Sequence, residues 1–236
     1  MAWDERTVLL LGETAAERLR QAHVAVVGLG GVGGAAAEML ARAGVGRLTL
    51  IDSDTVSDTN RNRQLCALVS TVGKPKTEVV SERLCDIHPG IQLHLVREFL
   101  CEGNVSALLE PRPDVVVDAI DTLSPKIALI QHCLKAGIPL VSSMGSGAKR
   151  DATAVRIADI SKTRQCPLAH MLRKRLHKLG IREGFQAVYS EEVPAESAVV
   201  MEEGRNKKSN VGTVSYLPTV FGCVCSQAVL NILIIP

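Results

Sequence analysis

Short apolar runs recur along the first 150 residues, and stretches with helical spacing lie between them. The first run, 23–27, leads into Gly28, Gly30 and Gly33. A helical pattern then continues to Ala43, and a second apolar run ends at Asp52. Further strands are predicted at 91–96, 114–117 and 139–143. Helices are predicted at 13–22, 75–87, 105–109 and 124–136, the last ended by Gly137. Strands alternating with helices predict an α/β, Rossmann-like fold: a mainly parallel sheet with helices on both faces. After about residue 152 the rhythm changes to a strand at 153–157, a basic helix at 167–179 and a strand at 186–190, a small C-terminal extension. Segment 191–209 is charged and poor in apolar residues, and it reads as mobile. From Ser209 onward no residue carries a charge. There a strand at 213–216, a turn at Pro218 and a buried helix from Thr219 are expected. A membrane span is not, because Asn210, Ser215, Gln227 and Asn231 interrupt the apolar run. No internal repeat or linker divides the chain. Residues 1–236 read as one domain, with a nucleotide-binding core at about 23–150 and a basic substrate-binding part at about 151–236.

The glycine spacing has a chemical meaning. The first glycine permits the tight turn, the second lets backbone approach phosphate, and the third lets helix pack on strand. The helix N-terminus offers unpaired N–H groups to an anion. Asp52, ending the second strand, can accept hydrogen bonds from ribose hydroxyls. These features predict a nucleotide site but do not by themselves separate a dinucleotide from ATP. The residues that follow do more. Asp54, Asn60, Arg63 and Gln64, then Lys74 and Lys76, occupy a polar loop from 52 to 73 and the start of the next helix. The loop is longer than most connections, which suits a functional segment. A triphosphate carries more charge than a dinucleotide and is better matched by cations such as Arg63 and Lys76. Asp118 and Asp121 follow another buried strand. Ligands of open α/β sheets lie at the carboxyl ends of strands, and Asp121 there suits Mg²⁺, which takes one or two carboxylates plus phosphate oxygens. Asp118 reads as a helix cap or turn former.

With 236 residues, 46% hydrophobic and 22% charged, the chain can bury a substantial core. Its formal charge of +2 is too near neutral to point to nucleic acid. The distribution is uneven, however. Lys162, Arg164, Arg173, Lys174, Arg175, Lys178 and Arg182 cluster, and Arg205, Lys207 and Lys208 form a second group. Aromatic residues make up only 3%, so stacking on aromatic platforms is not expected as a major binding mode. The odd number of cysteines, seven, at irregular spacing fits buried thiols in a reducing, cytoplasmic setting better than a disulfide framework. Cys223 and Cys225 form a CxC without the second pair that a zinc site wants. The N-terminus shows no secretory pattern.

IDSDTVSDTNRNRQ, GKPK and DAIDT (118–122) together resemble the ubiquitin-activating-enzyme-like adenylyltransferases, over nearly the whole chain. That resemblance implies ATP and Mg²⁺ as cofactors. It places Asp52 on the ribose, Asn60, Arg63, Gln64 and Lys76 around the phosphates, and Asp121 on Mg²⁺. Arg6 matches an arginine that reaches into the partner subunit's site, which implies a homodimer. Relatives often carry a charged tail beyond the position of Pro236. The C-terminal third, SKTRQCPLAHMLRKRLHKLGI, AVYSEEVP and GTVSYLPTVFG, with RTVLLLGE near the start, resembles the tRNA threonylcarbamoyladenosine dehydratase branch. Its members adenylate a threonine carboxylate on a modified adenosine of tRNA, and the side chain then cyclises with net loss of water. Arg173, Lys174, Arg175 and Lys178 would track the tRNA backbone, opposite an apolar stripe of Leu168, Met171, Leu172, Leu176 and Leu179. The alternatives are an adenylyltransferase for a ubiquitin-like sulfur carrier, a non-catalytic nucleotide-binding module and an NAD-dependent oxidoreductase. A sulfur-relay protein is a further candidate partner.

Overall fold

The structure is a computed structural model that describes residues 3–201 and 209–234. Two helices, α1 (Glu5–Leu11) and α2 (Glu13–Gln21), precede strand β1 (His23–Val27). The chain continues through α3 (Gly31–Arg42), β2 (Arg47–Ile51), α4 (Lys76–Ile87), β3 (Gln92–Val96) and α5 (Val105–Leu108). Then come β4 (Val115–Asp118), α6 (Leu123–Ala136), β5 (Leu140–Ser143), β6 (Val155–Asp159), α7 (Pro167–Lys178) and β7 (Gln186–Ser190). A short hairpin, β8 (Val199–Met201) and β9 (Ser209–Val211), leads to α8 (Tyr216–Ile234).

Seven strands form one sheet in the order β3-β2-β1-β4-β5-β7-β6. All its pairings are parallel except that of β6 with β7. Side chains alternate across a strand, so the buried residues separate into two clusters. Val24, Val26, Leu48, Leu50, Val115 and Val117 face α3, α4 and α8. Ala25, Val27, Ile51 and Val116 face α5, α6 and α7. The order reverses between β1 and β4, where neighbouring connections leave opposite faces and a crevice opens at the carboxyl ends.

The parallel core lies where the apolar pattern put it, with β1 and β7 at the predicted bounds. The C-terminal part differs in three places. The strand expected at 153–157 begins at Val155, because the Asp151 carboxylate accepts from Thr153 N (2.8 Å) and holds 152–154 in a 3-10 turn. The strand expected at 213–216 is instead β9, and the following residues lead directly into α8. Pro218 is no turn preceding the helix but sits in its first turn, where a missing N–H costs no intrahelical bond. Third, within the segment expected to be mobile, 199–201 forms β8, which pairs with β9 at the segment's C-terminal end. Residues 202–208, including Arg205, Lys207 and Lys208, lie outside the described residues. Helix α1 had no counterpart in the predicted elements. By length and composition α8 could cross a membrane, but Leu217, Phe221, Cys225, Ala228 and Val229 are buried in the core. Gly222 brings α8 close to α3: a Cβ there would lie 2.5 Å from Val32 O.

Candidate functional site

The glycine turn closes the crevice as its spacing implies. Gly28 has φ +88°, and a Cβ on it would sit 2.9 Å from Ala119 O. A Cβ on Gly33 would fall 1.7 Å from Gly28 O, so only glycine lets α3 start this close to β1. Gly30 is the open one, with Gln64 Nε2 the nearest atom at 3.7 Å from a notional Cβ. Backbone N–H groups at the start of the twelve-residue α3 therefore face the crevice.

Asp52 lies at the end of β2, beside this turn. Its Oδ2 accepts from Leu29 N (2.6 Å) and its Oδ1 from Asp54 N (2.7 Å). Each oxygen keeps a lone pair for a hydroxyl donor. Burial pushes the Asp52 carboxyl above its ordinary value, opposed by the nearby Lys76 cation and the two backbone donors. Lys76 is buried at the first residue of α4, and its Nζ bonds Asp54 Oδ2 at 2.8 Å. Lys76 N also donates to Asp54 O, and Val56 N to Lys74 O, which lays the start of the long loop against its end. Asn60 Oδ1 accepts from Ser57 N, and Arg63 donates to Thr59 O and Asn62 Oδ1. These bonds fold the loop into compact turns that carry Gln64 to Gly30 and Arg63 O to the start of α3. The structure thus brings Asp52, Asp54, Gln64 and Lys76 together around the glycine turn, with Asn60 and Arg63 in the loop above it. Arg6 stands apart, exposed on α1.

The β4–α6 connection forms the opposite wall. Asp118 is a turn former, accepting from Ile120 N at 3.1 Å. It is also half of a fully buried ion pair, with Lys126 Nζ at 2.8 Å and Ser142 Oγ at 2.6 Å. Lys126 Nζ also donates to Ile120 O (2.9 Å), so this one cation ties down the loop that carries Asp121. Asp121 is exposed at the strand's carboxyl end. Among the described residues no three His, Cys, Asp or Glu side chains converge on a metal position. A single carboxylate at the carboxyl end of a strand is the kind of ligand that Mg²⁺ takes together with phosphate oxygens and water.

Two lysines escaped the sequence reading. Lys126 interrupts the apolar run PKIALI, a signal that was there to be used. Lys149 follows the glycine-rich turn after β5; it is buried and donates to Ser190 O (2.8 Å) and Gln165 O (3.2 Å). Burial lowers its pKa from the ordinary lysine value. All seven cysteines are free; Cys66, Cys133, Cys166 and Cys225 are buried, whereas Cys85, Cys101 and Cys223 are exposed, contrary to a buried reading for all of them. On α7 the basic residues divide. Arg173 is half-buried and bonds the Thr163 hydroxyl. Lys174, Arg175 and Lys178 line a groove against α6.

A family model described as the ThiF family matches residues 5–235. The chain belongs to the ThiF family. It is 45% identical over 205 residues to the tRNA threonylcarbamoyladenosine dehydratase of Bacillus subtilis (strain 168), spanning 87% of this chain and 80% of that one. The crystal structure of the E. coli tRNA N6-threonylcarbamoyladenosine dehydratase in complex with ATP superposes with a TM-score of 0.90. It is 37% identical and covers 98% of this chain and 93% of its own. The molybdopterin-synthase adenylyltransferase of E. coli (strain K12) is 42% identical, but over 126 residues, 53% of this chain and 50% of its own. The dehydratase likeness extends well beyond the stretch shared with the molybdopterin-synthase adenylyltransferase. It favours the dehydratase reading over the sulfur-carrier alternative.

Proposed function

We propose that this chain is an ATP-dependent tRNA threonylcarbamoyladenosine dehydratase that works through an acyl-adenylate. The observation that carries the reading is the joint geometry at the carboxyl ends of the central strands: a glycine turn built for phosphate, Asp52 and Lys76 beside it, and a cation-lined groove nearby. Asp52 would hold the ribose through the lone pairs its backbone donors leave open. The start of α3, with Gln64, Arg63 and Lys76, would bind the phosphates. Asp121 would hold Mg²⁺, which when bound neutralises charge on the phosphate oxygens. The threonine carboxylate attacks the α-phosphorus; the bond to the β-phosphate oxygen breaks and pyrophosphate leaves. An atom of the same side chain then attacks the acyl carbon, and AMP departs with one carboxylate oxygen. The net change in the nucleoside is loss of one water. The protein supplies position and charge, not a nucleophile.

The core at about 23–150 and the basic part at about 151–236 act as one unit in this reading. A cytoplasmic homodimer, in which Arg6 enters the partner subunit's site, rests on the resemblance and on the exposure of Arg6. A sulfur-relay protein is a candidate partner on the resemblance alone. The test is to incubate the protein with ATP, Mg²⁺ and tRNA carrying threonylcarbamoyladenosine, digest to nucleosides and weigh them. Loss of one water with release of AMP is expected. An unchanged nucleoside, with AMP transferred instead to the C-terminus of a ubiquitin-like carrier, would replace this reading.

A further inference from the structure

The chain has three phenylalanines. Phe185 and Phe221 are buried at 5% and 0% exposure, but Phe99 is 55% exposed. It stands on the loop after β3 and lines a groove of about 630 Å³ between that loop, α6 and α7. Met171 and Leu179, also exposed, continue the apolar lining from α7. Lys174, Arg175 and Lys178 stand with them, and Glu102 is the one acid in the lining. The apolar stripe of α7 therefore does not all point inward: Leu172 and Leu176 enter the core, whereas Met171 and Leu179 face the groove. An aromatic face beside three cations is the combination that unpaired nucleic acid uses, the ring for a base and the cations for its phosphates. The volume is sufficient for such a group. The position fits as well. The groove opens at the carboxyl ends of β3 and β4, and its Ser124 lies within about 11 Å of Asp121 by chain length alone.

We propose that this groove seats one unpaired base of the RNA substrate, adjacent to the modified nucleotide and stacked on Phe99, with Lys174, Arg175 and Lys178 neutralising the flanking phosphates. The inference rests on the tRNA reading above and adds a base-binding subsite to it. Low aromatic content argues against an extended stacking platform, but not against a single ring at one position.

The experiment uses fluorescence anisotropy with the full chain and a tRNA stem–loop bearing the modified adenosine. Phe99→Ala should weaken binding about tenfold and Phe99→Tyr should restore it, with the salt slope unchanged in both. The double variant Lys174→Gln/Lys178→Gln should reduce the salt slope. ATP affinity, measured on every variant, should be unaltered. A second arm needs no further variant: removing the unmodified loop bases one at a time should cost the parent about tenfold at a single position, and there Phe99→Ala should add nothing further. If Phe99→Ala binds like the parent, and no single base removal matters, the subsite is refuted while the tRNA reading stands. If the parent fails to bind the RNA, both fall.

Discussion

Replacing Lys126 by Met removes a charge from a place with no solvent. Asp118 and Lys126 are both 0% exposed, and the Nζ of Lys126 serves Asp118 Oδ2 and Ile120 O at 2.8 and 2.9 Å. Without it the Asp118 carboxylate keeps, among the described residues, Ser142 Oγ and Ile120 N. Methionine fills nearly the same volume, so the cavity contribution is small and the unpaired buried charge dominates. Breaking such a pair costs about 3–5 kcal/mol. For a chain of this size that corresponds to a fall in Tm of roughly 6–20 °C. Urea unfolding should show the loss as a lower midpoint with the slope unchanged. Adding Asp118→Asn should cost less than the sum of the two single changes, because the second removes the charge that the first stranded. Activity should fall further than stability explains, since Ile120 O is one residue from Asp121. A loss under about 1 kcal/mol, the value of an exposed pair, would refute the desolvated-pair reasoning.

Two further outcomes follow from the same geometry. Asp121→Asn should lower ATP-dependent turnover by about a hundredfold or more and weaken Mn²⁺ binding in the presence of ATP; retained turnover would remove its metal role. Burial holds His23 below its ordinary pKa of 6.5, so the unfolded chain takes up a proton first as pH falls through 6.5 and stability drops there. His23→Val should flatten the fall in urea midpoint below pH 6.5, leaving the part due to His88, which is shifted the same way; identical slopes would contradict this.

The nucleotide half was legible because each of its signals is local. The run 23–27 is a buried strand, Gly28 needs its positive φ, and Gly33 has carbonyl oxygen where a side chain would be. Asp52 and Lys76 are 24 positions apart in sequence, but the folded loop between them is short in space. What was not legible depends on distant contacts. The charge inside PKIALI marks Lys126 as unusual, but nothing near Asp118 announces that Lys126 and Ser142 will surround it. Arg173 and Lys174 look alike in sequence, yet one bonds Thr163 and the other faces the groove, a difference set by helix phase against 163. The strand expected at 213–216 failed because a β-favouring composition cannot reveal that 209–211 has a partner at 199–201.

Activation of the carboxylate as an adenylate leaves a mark that one label reads directly. The threonine carboxylate of threonylcarbamoyladenosine in tRNA is enriched in heavy oxygen, and the tRNA is turned over with ATP and the full chain. One heavy oxygen is expected in the released AMP and none in pyrophosphate. Heavy oxygen appearing in orthophosphate, or lost to water with AMP unlabelled, would contradict it.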